Sequence, residues 1–288
     1  MKFTTVLLLI PLILSCTPKK KRKKNEFWGE CTVNIHCGTG KICRDNKCVD
    51  MKKTGLEKSV KSPPGMVFIP AGEFIMGANV GHPNEKPQIA QKTDSFYIDI
   101  HEVTWSDYSE CLKKGHCTPA SCSGSGKFPV SCVSWHQAQS YCNAVGKRLP
   151  TEEEWEKAAR STDARKYPWG DSSPDCKKAA YNRCNLNGPV AVDTLTDGKS
   201  IYGTVGQAGN VWEWTSTTLW PWDQRSDPEM LTAGYKPSRK IDKSKTSHFR
   251  VIRGGSWKEG PEGIRITIKH LLKMDFSSPL IGFRCAKD

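Results

Sequence analysis

Cysteine dominates the chemistry open to this 288-residue chain, which carries thirteen of them. A thiol can form a disulfide, ligate a soft metal, carry a lipid or act as a nucleophile, and spacing helps to separate these uses. Four cysteines form the pattern Cys31-x5-Cys37-x5-Cys43-x4-Cys48, with Gly38, Gly40 and Lys41 between them and almost nothing apolar to bury. A piece this small needs covalent staples. Residues 31–48 therefore read as a two-disulfide module, with Cys31–Cys43 and Cys37–Cys48 as one of three connectivities. Zinc is the rival use of four cysteines, and the lack of a Cys-x2-Cys pair argues against it. His36, His82, His101, His116, His136, His248 and His270 show no paired metal-ligand spacing.

The thirteenth cysteine belongs to the N-terminus. Lys2 precedes an apolar run from Val6 to Leu14 that contains Pro11 and is followed by Ser15 and Cys16. A membrane span needs about 20 apolar residues, so this shorter run reads as an export signal over residues 1–15. The ending Ile13-Leu14-Ser15-Cys16 resembles a bacterial lipobox, which makes Cys16 the expected lipid attachment site. The alternative is an ordinary signal peptide cut elsewhere. Thr17, in place of Asp, points to the outer membrane where the cell has one.

Six adjacent cations, Lys19 to Lys24, fall within a linker over 16–30. Behind a lipid anchor such a run lies against anionic head groups and adds to membrane affinity. With Lys2 it accounts for seven of the thirteen net positive charges, leaving an ordinary balance for the rest of the chain. Nucleic acid is therefore not an expected partner, and the cell envelope is the expected location. Twelve cysteines beyond Cys16 suit an oxidising compartment and six disulfides.

These residues need elements to hold them. Residues 49–65 are rich in Lys, Ser, Gly and Pro and read as a linker. The 223 residues from Met66 to Asp288 suffice for one substantial core. Met66 to Pro70 and Gly72 to Gly77 read as two short strands around a turn, and Phe96 to Ile100 as another. Tyr108, Cys111 and Leu112 share one face of a short helix, and Ser134 caps a second with Ala138, Tyr141, Cys142 and Val145 on a common face. Gly146 should stop it. Thr151 and Glu154 form a capping box for a third helix that turns Trp155, Ala158 and Ala159 inward. Beyond residue 161 loops prevail, and short strands return over Phe249 to Trp257, Ile264 to Ile268 and Ile281 to Cys285. The expected fold class is α+β with low regular content.

Eight landmarks then follow in a familiar order: Val67 to Gly77, Glu102-Val103-Thr104, Pro129 to Trp135, Gly146 to Glu156, Tyr167-Pro168-Trp169-Gly170, Gly209-Asn210-Val211-Trp212-Glu213-Trp214-Thr215, Arg253-Gly254-Gly255-Ser256-Trp257 and Gly282-Phe283-Arg284-Cys285-Ala286. Over residues 66–288 the chain resembles the formylglycine-generating enzymes, also called sulfatase-modifying factors. The resemblance implies a fold related to C-type lectin-like domains.

In active members, a Cys-x4-Cys pair between the Gly-Gly-Ser and Gly-Phe-Arg-Cys motifs binds copper and oxidises a substrate cysteine to formylglycine with oxygen. Here no cysteine lies between Trp257 and Arg284. No other residue type there replaces two thiolates at a copper(I) centre, so copper is not expected and no catalytic residue is assigned. Iron-dependent sulfoxide synthases share this domain but draw ligands from an added helical domain absent from residues 1–65.

The resemblance also implies a disulfide between Cys142 and Cys285. The remaining cysteines of the domain pair most simply as neighbours: Cys111 with Cys117, Cys122 with Cys132, and Cys176 with Cys184. It further implies a structural calcium ion at Gly209, Val211 and Glu213, with Asn182 and Asn185 as a looser second set. Gly206 stands where a ligating oxygen side chain is common, and the rival reading has Glu213 satisfied by backbone donors.

The expected function is a pseudoenzyme acting as a binding or scaffold module. Its partner would be an envelope protein or glycan, met by a loop surface rich in Trp169, Trp212, Trp214, Trp220 and Trp222, of which the Trp-Glu-Trp pair reads rather as core and Trp220-Pro221-Trp222 as the better surface candidate. An oxidase of the formylglycine type is the alternative.

Overall fold

The computed structural model describes residues 62–218 and 248–288, together with the backbone of two strands further upstream. The expectations for the signal peptide, Cys16, the basic run, most of the small cysteine module, Trp220 and Trp222 lie outside these residues. The upstream strands, β1 (Lys41–Arg44) and β2 (Lys47–Asp50), pair antiparallel with Cys43 opposite Cys48.

The domain opens with β3 (Met66–Ile69) and β4 (Gly72–Met76). The two strands read around a turn are present, but they do not pair with each other. Pro70 offers no N–H to a ladder, and Gly72 takes φ +131°, so the chain swings out of one sheet into another. β4 pairs with β5 (Ile89–Thr93), whereas β3 pairs with β6 (Phe96–Asp99).

Three capped helices follow. α1 (Trp105–Lys113) starts at Thr104 with Asp107 completing a capping box, and buries Trp105, Tyr108 and Cys111. α2 (Trp135–Ala144) uses Ser134 and Gln137 in the same way. It buries Ala138, Tyr141 and Cys142, but Val145 is exposed, because the helix ends one residue earlier and Gly146 (φ +70°) turns the chain away. α3 (Glu152–Arg160) starts at Thr151 with Glu154, and Trp155, Ala158 and Ala159 are fully buried. No described helix is long and apolar enough to cross a membrane.

The chain returns as β7 (Trp212–Trp214), β8 (Phe249–Arg253), β9 (Lys269–Lys273), β10 (Ile281–Gly282) and β11 (Ala286–Lys287). The strand expected over Ile264 to Ile268 is a 3-10 turn at Pro261–Ile264 followed by irregular chain. The alternating isoleucines are buried, yet their backbone bonds outside any ladder: Ile266 N–H donates to Lys166 O and Ile268 N–H to Arg265 O. β9 takes the ladder position beside β8 instead. The sheet order is β10-β7-β8-β9, with β10 parallel to β7 and the other pairs antiparallel.

β11 completes a second sheet, β11-β6-β3, on the side of β6 opposite the strand that opens the domain. The main core gathers Val103, Tyr108, Val133, Leu149, Trp214 and Phe283 between these sheets and α1 and α2. Among the described residues, four disulfides staple the domain: Cys111–Cys117, Cys122–Cys132, Cys176–Cys184 and, across 143 positions, Cys142–Cys285.

Candidate functional site

The segment that follows β8 is where chemistry would be sought. β8 stops because Gly254 and Gly255 both take positive φ, at +94° and +77°. Gly255 has no room for a side chain: a Cβ there would lie 3.0 Å from Ile264 and closer still to the Gly263 carbonyl. The chain then runs through Ser256, Trp257, Lys258 and Glu259 into the turn Pro261–Ile264.

Backbone bonds lock this segment down. Trp257 N–H donates to Asn210 O at 2.9 Å, and Asn182 N–H donates to Glu259 O at 3.0 Å. The Glu259 carboxylate accepts from Trp212 Nε1 at 3.4 Å, and Trp212 meets His270 edge-on at 4.7 Å between ring centroids. Tyr167 donates its hydroxyl to Pro261 O and stacks on Trp169 at 5.0 Å. The segment thus brings together an indole, an imidazole and a carboxylate, but no thiol. All eight cysteines of residues 66–288 are bonded in disulfides. Among the described residues, no group of three or more His, Cys, Asp or Glu is gathered for a metal ion.

Deeper in, the motif Gly209 to Trp214 presents Glu213 from β7 to two cationic or polar donors. Trp155 Nε1 donates to Glu213 Oε2 at 2.7 Å, and Arg284 grips both carboxylate oxygens, Nε to Oε2 at 2.7 Å and Nη2 to Oε1 at 2.8 Å. Glu213 and Arg284 are wholly buried. Glu102, a second buried carboxylate, accepts from Asn210 Nδ2 at 2.9 Å and lies 3.8 Å from Arg284 Nη2. Burial holds the Glu102 carboxyl up at about 7, against the pull of Arg284, and the nearby Glu213 charge adds to the rise.

The donor set at Gly209, Val211 and Glu213 does not fit a calcium ion as arranged. Three of the roughly four lone-pair sites of Glu213 are taken, and the neighbour that takes two of them is itself a cation. Nor does Gly206 leave room for an oxygen side chain. A Cβ at Gly206 would sit 2.6 Å from Glu102 Oε1 and 2.7 Å from its Cδ. Asn182 opens the 3-10 turn Asn182–Cys184 and Asn185 ends it in the left-handed region, both exposed. Trp212 and Trp214 are core residues, and Trp169 is half-buried against Tyr167.

Sequence reasoning missed the buried charges. α3 buries Glu152, Glu156, Lys157 and Arg160 as well as its apolar face. Arg253 pairs with Glu156 and lies 3.3 Å from Glu152, which Lys269 approaches at 3.1 Å, and Arg160 pairs with Glu156 at 2.9 Å. The signal available was the run Glu152-Glu153-Glu154-x-Glu156, with more acids than a first turn needs. Beside this network opens a cavity of about 480 Å³, lined by Gly81, Gln88, Arg160, Lys166, Glu262 and Arg265 among others.

A loop-rich α+β core, two sheets linked by the short segment between β10 and β11, and a buried Trp-Glu-Trp strand define a formylglycine-generating-enzyme-like fold. The family model for the sulfatase-modifying factor enzyme 1-like domain matches residues 52–288, and the chain belongs to that family. It is 31% identical over 296 residues to the formylglycine-generating enzyme of Streptomyces coelicolor, covering 79% of this chain and 90% of that one. Similarity to the inactive C-alpha-formylglycine-generating enzyme 2 of Mus musculus reaches 29% identity over 77% of this chain and 85% of that one. The chain is also 30% identical to serine/threonine-protein kinase Pkn1 of Chlamydia trachomatis over 77% of its own length, and spans 38% of that larger protein. Among solved structures, PvdO from Pseudomonas aeruginosa superposes with a TM-score of 0.62 at 21% identity, covering 80% of this chain and 96% of that one. That likeness speaks to the fold.

Proposed function

We propose that this domain is catalytically inactive as an oxidase and serves as a binding or scaffold module on a lipid-anchored protein of the cell envelope. One observation carries the reading: no cysteine lies between Trp257 and Arg284, and every cysteine of residues 66–288 is held in a disulfide. The oxidase chemistry of the resemblance needs two thiolates as soft ligands for copper(I). A thiol in a structural disulfide is neither a ligand nor a nucleophile. The similar proteins include one named as inactive as well as a named enzyme, so likeness to the family is compatible with the reading. The envelope location rests on the export signal and on Cys16, and the partner class, a protein or glycan, on the loop-rich surface.

The test is direct. Purified protein is incubated with copper, a reductant, oxygen and a Cys-x-Pro-x-Arg peptide, and the peptide is weighed by mass spectrometry. We expect no aldehyde above a control without protein. Conversion of the peptide cysteine would refute inactivity and restore the oxidase.

A further inference from the structure

The cavity beside α3 is walled by three cations from separate stretches of chain. Arg160 comes from the end of α3, Lys166 from the loop behind it and Arg265 from just beyond the turn Pro261–Ile264. The volume, about 480 Å³, is that of a pocket for a small molecule. Ala78, Gly81 and Ala164 give it a small uncharged face as well.

Arg265 is fixed from behind. Its Nε donates to Glu85 Oε2 at 3.0 Å and its Nη2 to Glu85 Oε1, and the buried Glu85 carboxylate also accepts from Thr267 Oγ1 and, at 2.6 Å, from the His82 N–H. In front, Arg265 Nη1 donates to Glu262, which takes Lys166 Nζ on its other oxygen at 3.1 Å. The Glu262 side chain is 68% exposed. Ion pairs that exposed are weak and readily exchanged. The mouth of the cavity thus holds two cations whose shared carboxylate is free to swing into water.

Arg160 supplies a second and independent sign. It is 3% exposed, and its Nη1 donates to Gly77 O and, at 2.9 Å, to Glu156 Oε1, while Nη2 donates to Ala164 O at 2.8 Å. Its buried Nε has no acceptor among the described residues. Buried donors are nearly always satisfied, and one left over on a cavity wall calls for an oxygen that enters the cavity.

We propose that this cavity binds a small organic diacid, one carboxylate replacing Glu262 between Lys166 and Arg265 and a further oxygen reaching Arg160 Nε. A carboxylate suits the gap because a carboxylate fills it now. Phosphate concentrates its charge on one group and would be repelled by Asp171 on the same wall and by Glu85 behind Arg265. The proposal is independent of whether the domain oxidises a cysteine or docks on an envelope partner.

The experiment titrates succinate into the full chain by calorimetry at low salt, with succinamide as the uncharged counterpart. It is repeated in Glu262→Gln and Lys166→Met, whose side chains are exposed enough to change without opening the core. We expect saturable binding of succinate and none of succinamide. Binding should be about threefold tighter in Glu262→Gln, where the internal competitor is gone, and about tenfold weaker in Lys166→Met, where a charge-assisted contact is lost. Succinate that fails to bind even Glu262→Gln overturns the proposal, because the two cations then stand open. Binding that neither variant changes overturns it too, since the anion then sits elsewhere, as does inorganic phosphate binding more tightly than succinate.

Discussion

Lys157 shows how one residue can hold two strands at once. Its ammonium is buried and donates to Pro70 O at 2.7 Å, Gly72 O at 2.9 Å and Thr93 Oγ1 at 2.9 Å, with no carboxylate among its partners. The contacts pin the turn between β3 and β4 to β5, which explains why a lysine sits inside. Burial pushes its pKa down to about 8 from an ordinary 10.5. The sign of the linkage follows. Between these values the unfolded chain holds a proton that the folded one has lost, so the contribution of Lys157 to stability rises with pH across that window. The slope is at most about 1.4 kcal/mol per pH unit. Urea melts of the native chain and of Lys157→Met, compared near neutral pH and above pH 9, should show the native chain gaining relative to the variant. Parallel pH dependences would count against this account. Nothing in the sequence separates Lys157 from a solvated lysine on a charged helix, because its partners, the turn at Pro70 and Gly72 and Thr93 of β5, lie 64 to 87 positions away.

At the scale of elements, the three helices were legible because each declares itself locally. Thr104, Ser134 and Thr151 each stand three residues before an Asp, Gln or Glu that closes a capping box. The strands were less so. β7 is three residues long and β10 and β11 two each, too short for a period-two pattern to be read. Conversely, Ile264, Ile266 and Ile268 alternate like a strand and are not one, since burial alone sets that alternation. The ion network under α3 was hidden for a similar reason. A helix with four acids in its first five residues looks solvated until Arg253 and Lys269 arrive from β8 and β9. In the candidate site, the absence of cysteine was plain from the sequence, whereas the contact between Gly206 and Glu102 joins residues a hundred positions apart.

The Cys142–Cys285 bond joins α2 to the segment before β11 and closes the longest of the four described disulfide loops. Chain-entropy reasoning gives a loop of this length about 4–5 kcal/mol, an upper figure because denatured chains keep some structure. Cys142→Ala together with Cys285→Ala should therefore lower the urea midpoint far more than Cys111→Ala with Cys117→Ala, whose loop spans six positions. Equal losses in the two double variants would argue against an entropic origin.

For the whole molecule, the reading joins a described domain to an N-terminal region known from its sequence. If Cys16 carries lipid, detergent partitioning of the native chain should place it in the detergent phase, and Cys16→Ser should move it to the aqueous phase. A native chain found in the aqueous phase would remove the anchor from the account. The basic run Lys19 to Lys24 should add a salt-dependent component to vesicle binding, as expected for exposed charges near anionic lipid.

The arrangement at the C-terminus bears on how the domain comes into being. β11 pairs with β6, Arg284 fills the charge centre, Cys285 supplies half of the longest staple and Phe283 packs into the main core. Residues 283–287 thus serve strand pairing, buried charge, disulfide and core at once. A truncation before residue 283 would remove all four contributions together, and such a chain should show no cooperative urea transition where the full chain shows one.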